Sequence, residues 1–251
     1  MDHFVSPHQS HLHSLKTLNQ IYQYDSFLDS IKNVADFGCG AGLDTKWWAT
    51  LSTREDPPQL RNYNVASVDL TDKLDPSVKD LKNVKLITND FEKEGVVGNK
   101  IDLLWCHDAF QYVVNPLQTL CNWNKMMVKD GMLVIIMPQY AGYVNNKVHF
   151  RIYNGTLYPH NIVNLMYMLA VCGFDCNDAF FKVETHDYVP WIHAAVYKAG
   201  DPIDPKTSLY QLADMQLLNP SATKSLDANG YIRQEDLITS WFDKDWHRHI
   251  L

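Results

Sequence analysis

One nine-residue stretch constrains this chain more than any other: Val34-Ala35-Asp36-Phe37-Gly38-Cys39-Gly40-Ala41-Gly42. A short apolar run with one acidic residue breaks into alternating glycines, and a helix-like run from Leu43 to Leu51 follows. This order predicts a buried strand, a tight turn and a helix. Glycine admits left-handed backbone and close approach of a ligand. The first turn of a helix leaves N–H groups without partners, which suits an anion or another polar group. The spacing narrows the choice. A dinucleotide fingerprint reads G-x-G-x-x-G; here the third glycine comes one residue early, and Leu43 stands where that pattern has glycine. Glycine turns of this kind also arise for packing alone, so a functional reading needs partners elsewhere.

The rest of the chain supplies a rhythm. Strands are expected at 34–37, 64–69, 84–88, 101–105 and 132–137, and helices at 42–51 and from Asn115-Pro116 onward. Asn115 provides an N-cap and Pro116 fits the first turn. Leu117, Leu120, Trp123 and Met127 form the buried stripe, and Asp130-Gly131 reads as the helix stop. The run Met132 to Met137 is apolar throughout, as in a parallel strand covered on both faces. Pro159 opens a helical run, Ile162 to Val171, closed by Gly173; strand-like stretches at 178–184 and 190–198 come next. Strands alternating with helices imply a doubly wound, Rossmann-like α/β sheet with helices on both faces and ligands beyond the carboxyl ends of the strands. Residues 1–33 form an N-terminal helical cap, 34–199 the core, with 139–160 as a lid-like insertion, and 200–251 a helical extension that either closes the pocket or makes a homodimer contact.

Composition excludes some functions. A net charge of −7 and the lack of any basic run disfavour DNA or another phosphate-tracking partner. No run approaches the ~18 apolar residues of a membrane span, and the N-terminus lacks the basic and apolar regions of a signal peptide. Five cysteines, none in a C-x-x-C pair, fit a reduced setting. A soluble, cytoplasmic protein is expected.

A nucleoside ligand at the glycine loop would find carboxylates at the next strand ends. Asp69 closes the second strand, where it can accept ribose hydroxyls, and Leu70 is suited to an adenine face. Asn89-Asp90-Phe91 closes the third strand with a carboxylate for an amino group beside an aromatic ring. Each of these residues could instead be an ordinary turn residue. From about Val34 to Lys198 the sequence resembles the class I S-adenosylmethionine (SAM)-dependent methyltransferases of the small-molecule type. The carriers are Asp36 with G-x-G-x-G, Gln111-Tyr112-Val113-Val114-Asn115-Pro116 after the fourth strand, Lys129-Asp130-Gly131, and His149 to Phe174 before the sixth strand. The resemblance implies a seven-stranded sheet with its last strand antiparallel, and SAM as cofactor. It also implies that Asp36, Gly38, Cys39, Gly40 and Gly42 hold the methionine part, Asp69 the ribose, and Asp90 with Phe91 the adenine. Cys106, His107 and Asp108 would border the methionine end and the acceptor.

Methyl transfer to a hydroxyl or amine calls for proton removal. His107 and His149 are the candidate bases, with His186 and Tyr112 behind them, because imidazole titrates near neutral pH; a wall or backbone-bonding role is the alternative for each. Asp108, Tyr112, Tyr22 and Tyr140 are candidate acceptor contacts, since aromatic walls suit an apolar or cationic acceptor. No metal is expected, because the fifth strand ends in Pro138-Gln139-Tyr140 without an acidic residue. The expectation is methyl transfer to O or N of a small molecule. The alternatives are an inactive SAM- or nucleoside-binding partner subunit and a protein or RNA methyltransferase.

Overall fold

A computed structural model describes residues 25–139, 160–186 and 189–218 apart from 54, 56 and 99, together with 223–224 and 226–228. The strands are β1 (Asn33–Phe37), β2 (Asn64–Asp69), β3 (Val84–Thr88), β4 (Ile101–His107), β5 (Met127–Pro138), β6 (Phe174–His186) and β7 (Val189–Lys198). They form one sheet in the order β3-β2-β1-β4-β5-β7-β6. Neighbours from β3 to β5 run parallel, and β7 lies antiparallel to both β5 and β6. This is the expected Rossmann-like sheet of seven strands. The strand order reverses between β1 and β4, where the loops after the two strands part and leave a crevice.

The helices are α1 (Asp25–Ser30), α2 (Leu43–Thr50), α3 (Pro76–Lys79), α4 (Pro116–Met126), α5 (Ile162–Val171) and α6 (Leu209–Asp214), with a 3-10 turn at Phe110–Tyr112. Alternate residues of a strand face opposite sides, so β4 feeds two cores. Leu104 and Cys106 join Phe37, Phe110, Trp123, Leu133 and Leu169 under α4 and α5. Leu103 and Trp105 join Val34, Trp48, Tyr63, Val134 and Trp191 beside α1 and α2. Trp123 anchors the first core. It is fully buried, its ring lies 5.4 Å from Phe37 and 5.5 Å from Phe110, and its indole N–H donates to the Phe91 carbonyl at 2.9 Å.

The start of α4 is as expected: Asn115 accepts from the Gln118 amide and Pro116 opens the helix. The Glu92 carboxylate adds to that end by accepting from Val114 N, Asn115 N and the Thr119 hydroxyl. The end of α4 corrects the sequence reading. The helix stops at Met126, and Asp130-Gly131 sits inside β5. Pairing of β4 with β5 jumps from Ile101↔Met127 to Leu103↔Met132, so 128–131 bulge out, with Asp130 at φ 60. A bulge and a helix stop demand the same left-handed residue, which is why one was taken for the other. Strand β6 begins at Phe174 rather than 178. Helix α5 has the expected bounds, but its cap is Asn161, in a reciprocal pair with Asn164; Pro159 lies outside the described residues. Beyond β7, the Ile203 amide donates to the Val171 carbonyl, and Leu212 and Leu218 are buried in the larger core.

Candidate active site

The glycine loop is held from below by the next strand. The Gly38 and Cys39 amides both donate to the Val68 carbonyl, at 2.8 and 3.2 Å. Gly38, Gly40 and Gly42 have φ of 76, 51 and 83. Two of them are glycine for packing as well: a Cβ on Gly38 would lie 2.2 Å from the Ala109 Cβ, and one on Gly42 would lie 2.3 Å from Leu74 Cδ1. Gly40 differs, because a Cβ there would meet nothing within 4 Å. Its backbone faces open space, as a ligand cradle requires.

Asp69 reaches this loop from the end of β2. One oxygen accepts the Gly40 amide at 3.0 Å; the other accepts the Thr71 amide and hydroxyl at 3.1 and 3.2 Å. A carboxylate offers about four lone-pair positions, so Asp69 fixes the loop and keeps limited capacity for hydroxyl donors. The Asn89 amide donates to the Asp69 carbonyl at 2.9 Å, which brings the end of β3 to the same place. Asn89 and Asp90 shape the turn there, through Asp90 N to Asn89 Oδ1 and Glu92 N to Asp90 Oδ1. Phe91 stacks on Phe37 at 6.0 Å, and its ring edge comes 3.7 Å from where a Cβ on Gly38 would stand. Leu70 is 67% exposed beside Asp69, an apolar surface open to a ring.

Asp36 is 2% exposed and turned inward. It accepts the Thr45 hydroxyl at 2.5 Å, and Thr45 meets the buried Ser67 hydroxyl at 2.9 Å. Burial first, and then the charge of Asp44, push the Asp36 carboxyl up to about 7. Cys106 is fully buried in the larger core, which leaves its backbone as what it can offer a ligand. Burial pushes its thiol, and that of Cys39, well up.

At the end of β4, His107 Nδ1 lies 2.8 Å from Asp44 Oδ2, and the same oxygen accepts the Trp105 indole N–H at 3.0 Å. The His107 ring packs edge-on to Trp191 at 6.2 Å, and its Nε2 is buried with no hydrogen-bond partner among the described residues. Burial alone would hold the imidazolium down. The hydrogen bond and charge of Asp44, with Asp108 and Asp36 behind them, outweigh it and set His107 above the usual histidine range. Asp108 follows at φ 53, with Gln111 Nε2 donating to it at 2.6 Å; burial raises its carboxyl against the pull of His107. Tyr112 is 43% exposed at the end of the 3-10 turn. On the far side of Phe110, the His160 ring lies 5.4 Å away, and burial lowers its pKa to about 4.

The structure therefore brings Asp36, the glycine loop, Asp69, Asn89 to Phe91, His107 and Asp108 to the carboxyl ends of β1 to β4. His149, Tyr22 and Tyr140 lie outside the described residues. Sequence reasoning missed Asp44, Thr45, Ser67, Trp105 and His160. An acidic residue in a first helical turn is too common to single out Asp44, and its partner His107 stands 63 positions away.

Residues 35–135 match the model of a family described as methyltransferase domain. The chain is 28% identical over 198 residues, 78% of its length and 70% of the relative's, to malonyl-[acyl-carrier protein] O-methyltransferase 2 of Coxiella burnetii (strain RSA 493 / Nine Mile phase I). Among solved structures it resembles the N-methyltransferase NodS of Bradyrhizobium japonicum WM9, with a TM-score of 0.55 and 14% identity over 78% of this chain and 99% of that one. It also resembles the magnesium protoporphyrin IX methyltransferase of Synechocystis PCC 6803, solved with bound SAM, at a TM-score of 0.54 and 14% identity over 79% and 86%. At such identity these structures speak for the fold. The residues present fit the cofactor: an open glycine backbone, a carboxylate beside it, and an acid-rich crevice for a sulfonium cation. Residues 35–135 thus form a methyltransferase domain, on the fold of the class I SAM-dependent methyltransferases.

Proposed function

We propose that this enzyme transfers the methyl group of SAM to an oxygen or nitrogen of a small-molecule acceptor. The observation that carries this reading is His107, whose buried Nε2 has no partner among the described residues while Asp44 holds its other nitrogen. In this reading the backbone of Gly38 to Gly42, with Asp36 and Cys39, holds the methionine end. Asp69 takes the ribose, and Leu70, Asn89, Asp90 and Phe91 surround the adenine. The Cys106 backbone and His107 border the methyl group, with Asp108 and Tyr112 on the acceptor side. His149, Tyr22 and Tyr140 remain candidates from the sequence.

The cofactor supplies an electrophilic carbon on a sulfonium, which a bound nucleophile can attack in line without metal or covalent enzyme intermediate. The protein's part is to hold the acceptor in line with that carbon, an effect of up to ~7–11 kcal/mol, and to receive a proton. The acidic net charge supports an acceptor other than nucleic acid, and five free cysteines support a reducing, cytoplasmic setting. The name of the Coxiella relative supports oxygen as the acceptor atom.

Incubation with methyl-labelled SAM and a size-fractionated cell extract tests the reading. Label in the small-molecule fraction is expected. Label in protein or RNA would overturn the acceptor class, and no transfer by a protein that binds SAM would favour an inactive partner subunit.

A further inference from the structure

Asp44 has a ready structural explanation, since an acidic residue in the first turn favours a helix. The contacts it makes go further than that. It is 8% exposed, and its Oδ2 is directed at β4, where it accepts from the Trp105 indole and meets His107 Nδ1. An indole N–H can only donate. Trp105 is fully buried, with its ring 5.5 Å from Trp48, so the carboxylate oxygen is fixed by a group that cannot turn away. A carboxylate oxygen facing an imidazole nitrogen at 2.8 Å requires hydrogen on that nitrogen. The neutral ring is then the Nδ1–H tautomer, and its lone pair stands on Nε2, the atom that has no partner among the described residues.

Resting on the SAM-dependent reading of this crevice, we propose that Asp44 is a positioning residue that locks His107 in this tautomer, so that Nε2 takes the proton of the methyl acceptor. Balance is simple. The acceptor's lone pair forms the new bond to the methyl carbon, the carbon–sulfur bond breaks, and its electron pair stays on sulfur. The acceptor's O–H or N–H proton passes to Nε2, and Asp44 faces the resulting imidazolium. The arrangement selects a substrate class. A hydroxyl or an amine brings a proton that must leave, whereas an ionised carboxylate does not and would enter a crevice already holding Asp36, Asp44 and Asp108. Among the described residues, Cys106 precedes His107 on β4, and His193 of β7 shares its row through Ile136.

The test is nuclear magnetic resonance of the full chain labelled with ¹³C and ¹⁵N at histidine, with His107→Gln assigning the His107 signals. In the wild type, neutral His107 should carry its proton on Nδ1. Asp44→Asn should lower its pKa by about 1–3 units, and Asp44→Glu should recover part of that. Trp105→Phe frees the carboxylate from its indole donor and should move the pKa of His107 up; this second variant decides the matter if Asp44→Asn does not fold. A proton on Nε2, or the same His107 titration in the wild type and in whichever of these two variants folds, overturns the proposal. Calorimetry with S-adenosylhomocysteine on the same proteins separates the two layers: Asp44→Asn should bind within about threefold of wild type. Failure of the wild type to bind would overturn the cofactor site while leaving the imidazole result to be judged alone. With labelled SAM and the extract's small-molecule fraction, Asp44→Asn should transfer methyl about 10–100-fold more slowly above neutral pH, with its ascending limb moved to lower pH. Hydroxyl or amine products support the substrate class, and methyl esters count against it.

Discussion

The two ends of the β1–β2–β3 sector are both rich in polar residues, yet they use them differently. At the amino ends, Asn33, Asn64, Asn83, Lys82, Lys85 and Lys100 line a cavity of about 420 Å³ over Ala35 and Ala66. Its asparagines are committed to structure. Asn33 donates to the Lys100 carbonyl, Asn64 to Asn33, and Asn83 to the Ala49 and Tyr63 carbonyls. Asp102 likewise accepts the Lys32 and Asn33 amides. At the carboxyl ends the glycines adopt left-handed backbone, three carboxylates crowd one histidine, and a ring nitrogen is buried with no partner among the described residues. Volume marks the first end, and unsatisfied chemistry marks the second. Function follows the chemistry.

The largest contrast is expected between two glycines. Gly38→Ala puts a methyl on the Ala109 side chain at positive φ and should cost roughly 3–5 kcal/mol in urea unfolding. Gly98→Ala, also at positive φ but in open space, should cost about 1–2 kcal/mol. Equal losses would remove the distinction between the two regions. Next come two aspartates. Asp69→Ala should weaken S-adenosylhomocysteine binding by roughly 1–3 kcal/mol in calorimetry, and Asp102→Ala should leave it unchanged.

A smaller effect depends on pH. The folded Asp36 carboxyl titrates at about 7, above its unfolded value near 4. The folded state therefore keeps a proton that the unfolded chain releases. The resulting stability is fully present below pH ~4 and is lost as pH rises to ~7. His107, also raised, acts in the same direction: its contribution holds below the usual histidine value and fades through its folded value. Asp36→Asn should flatten the pH dependence of Tm and raise Tm at pH 8 by roughly 2–8 °C. A variant that tracks the wild type at every pH would assign the slope elsewhere. The smallest effect belongs to the amino end, where Lys85→Ala should alter neither cofactor affinity nor stability by more than ~0.5 kcal/mol.

Much of the fold was legible because apolar runs and glycine stops are local. Ile162–Val171 and Asn64–Asp69 emerge with the bounds the sequence implies. Asp130-Gly131 misled because a bulge and a helix end ask the same of the backbone, and only the β4 register tells them apart. Elements of a single turn, Pro76–Lys79 and Phe110–Tyr112, carry too few residues for a period. In the site, residues named by strand-end position were found together, while those defined by contact, such as Asp44 with His107 and Trp105, depend on how α2 lies across β4. Asp36 was legible in position but not in orientation, because its partner Thr45 belongs to the helix behind it.

Gly42 opens α2 without a side-chain cap, and its φ of 83 together with the approach of Leu74 disfavours the serine or aspartate that would normally serve there. The Asp36 carboxylate already meets the Thr45 backbone amide, so a hydrogen-bond acceptor bound at the glycine loop would complete the rest of the first turn, a service worth about 1 kcal/mol elsewhere. Occupancy and local order become a single quantity at this corner. Amide hydrogen exchange at residues 43 and 44 should slow as the loop fills, readable before any product has formed.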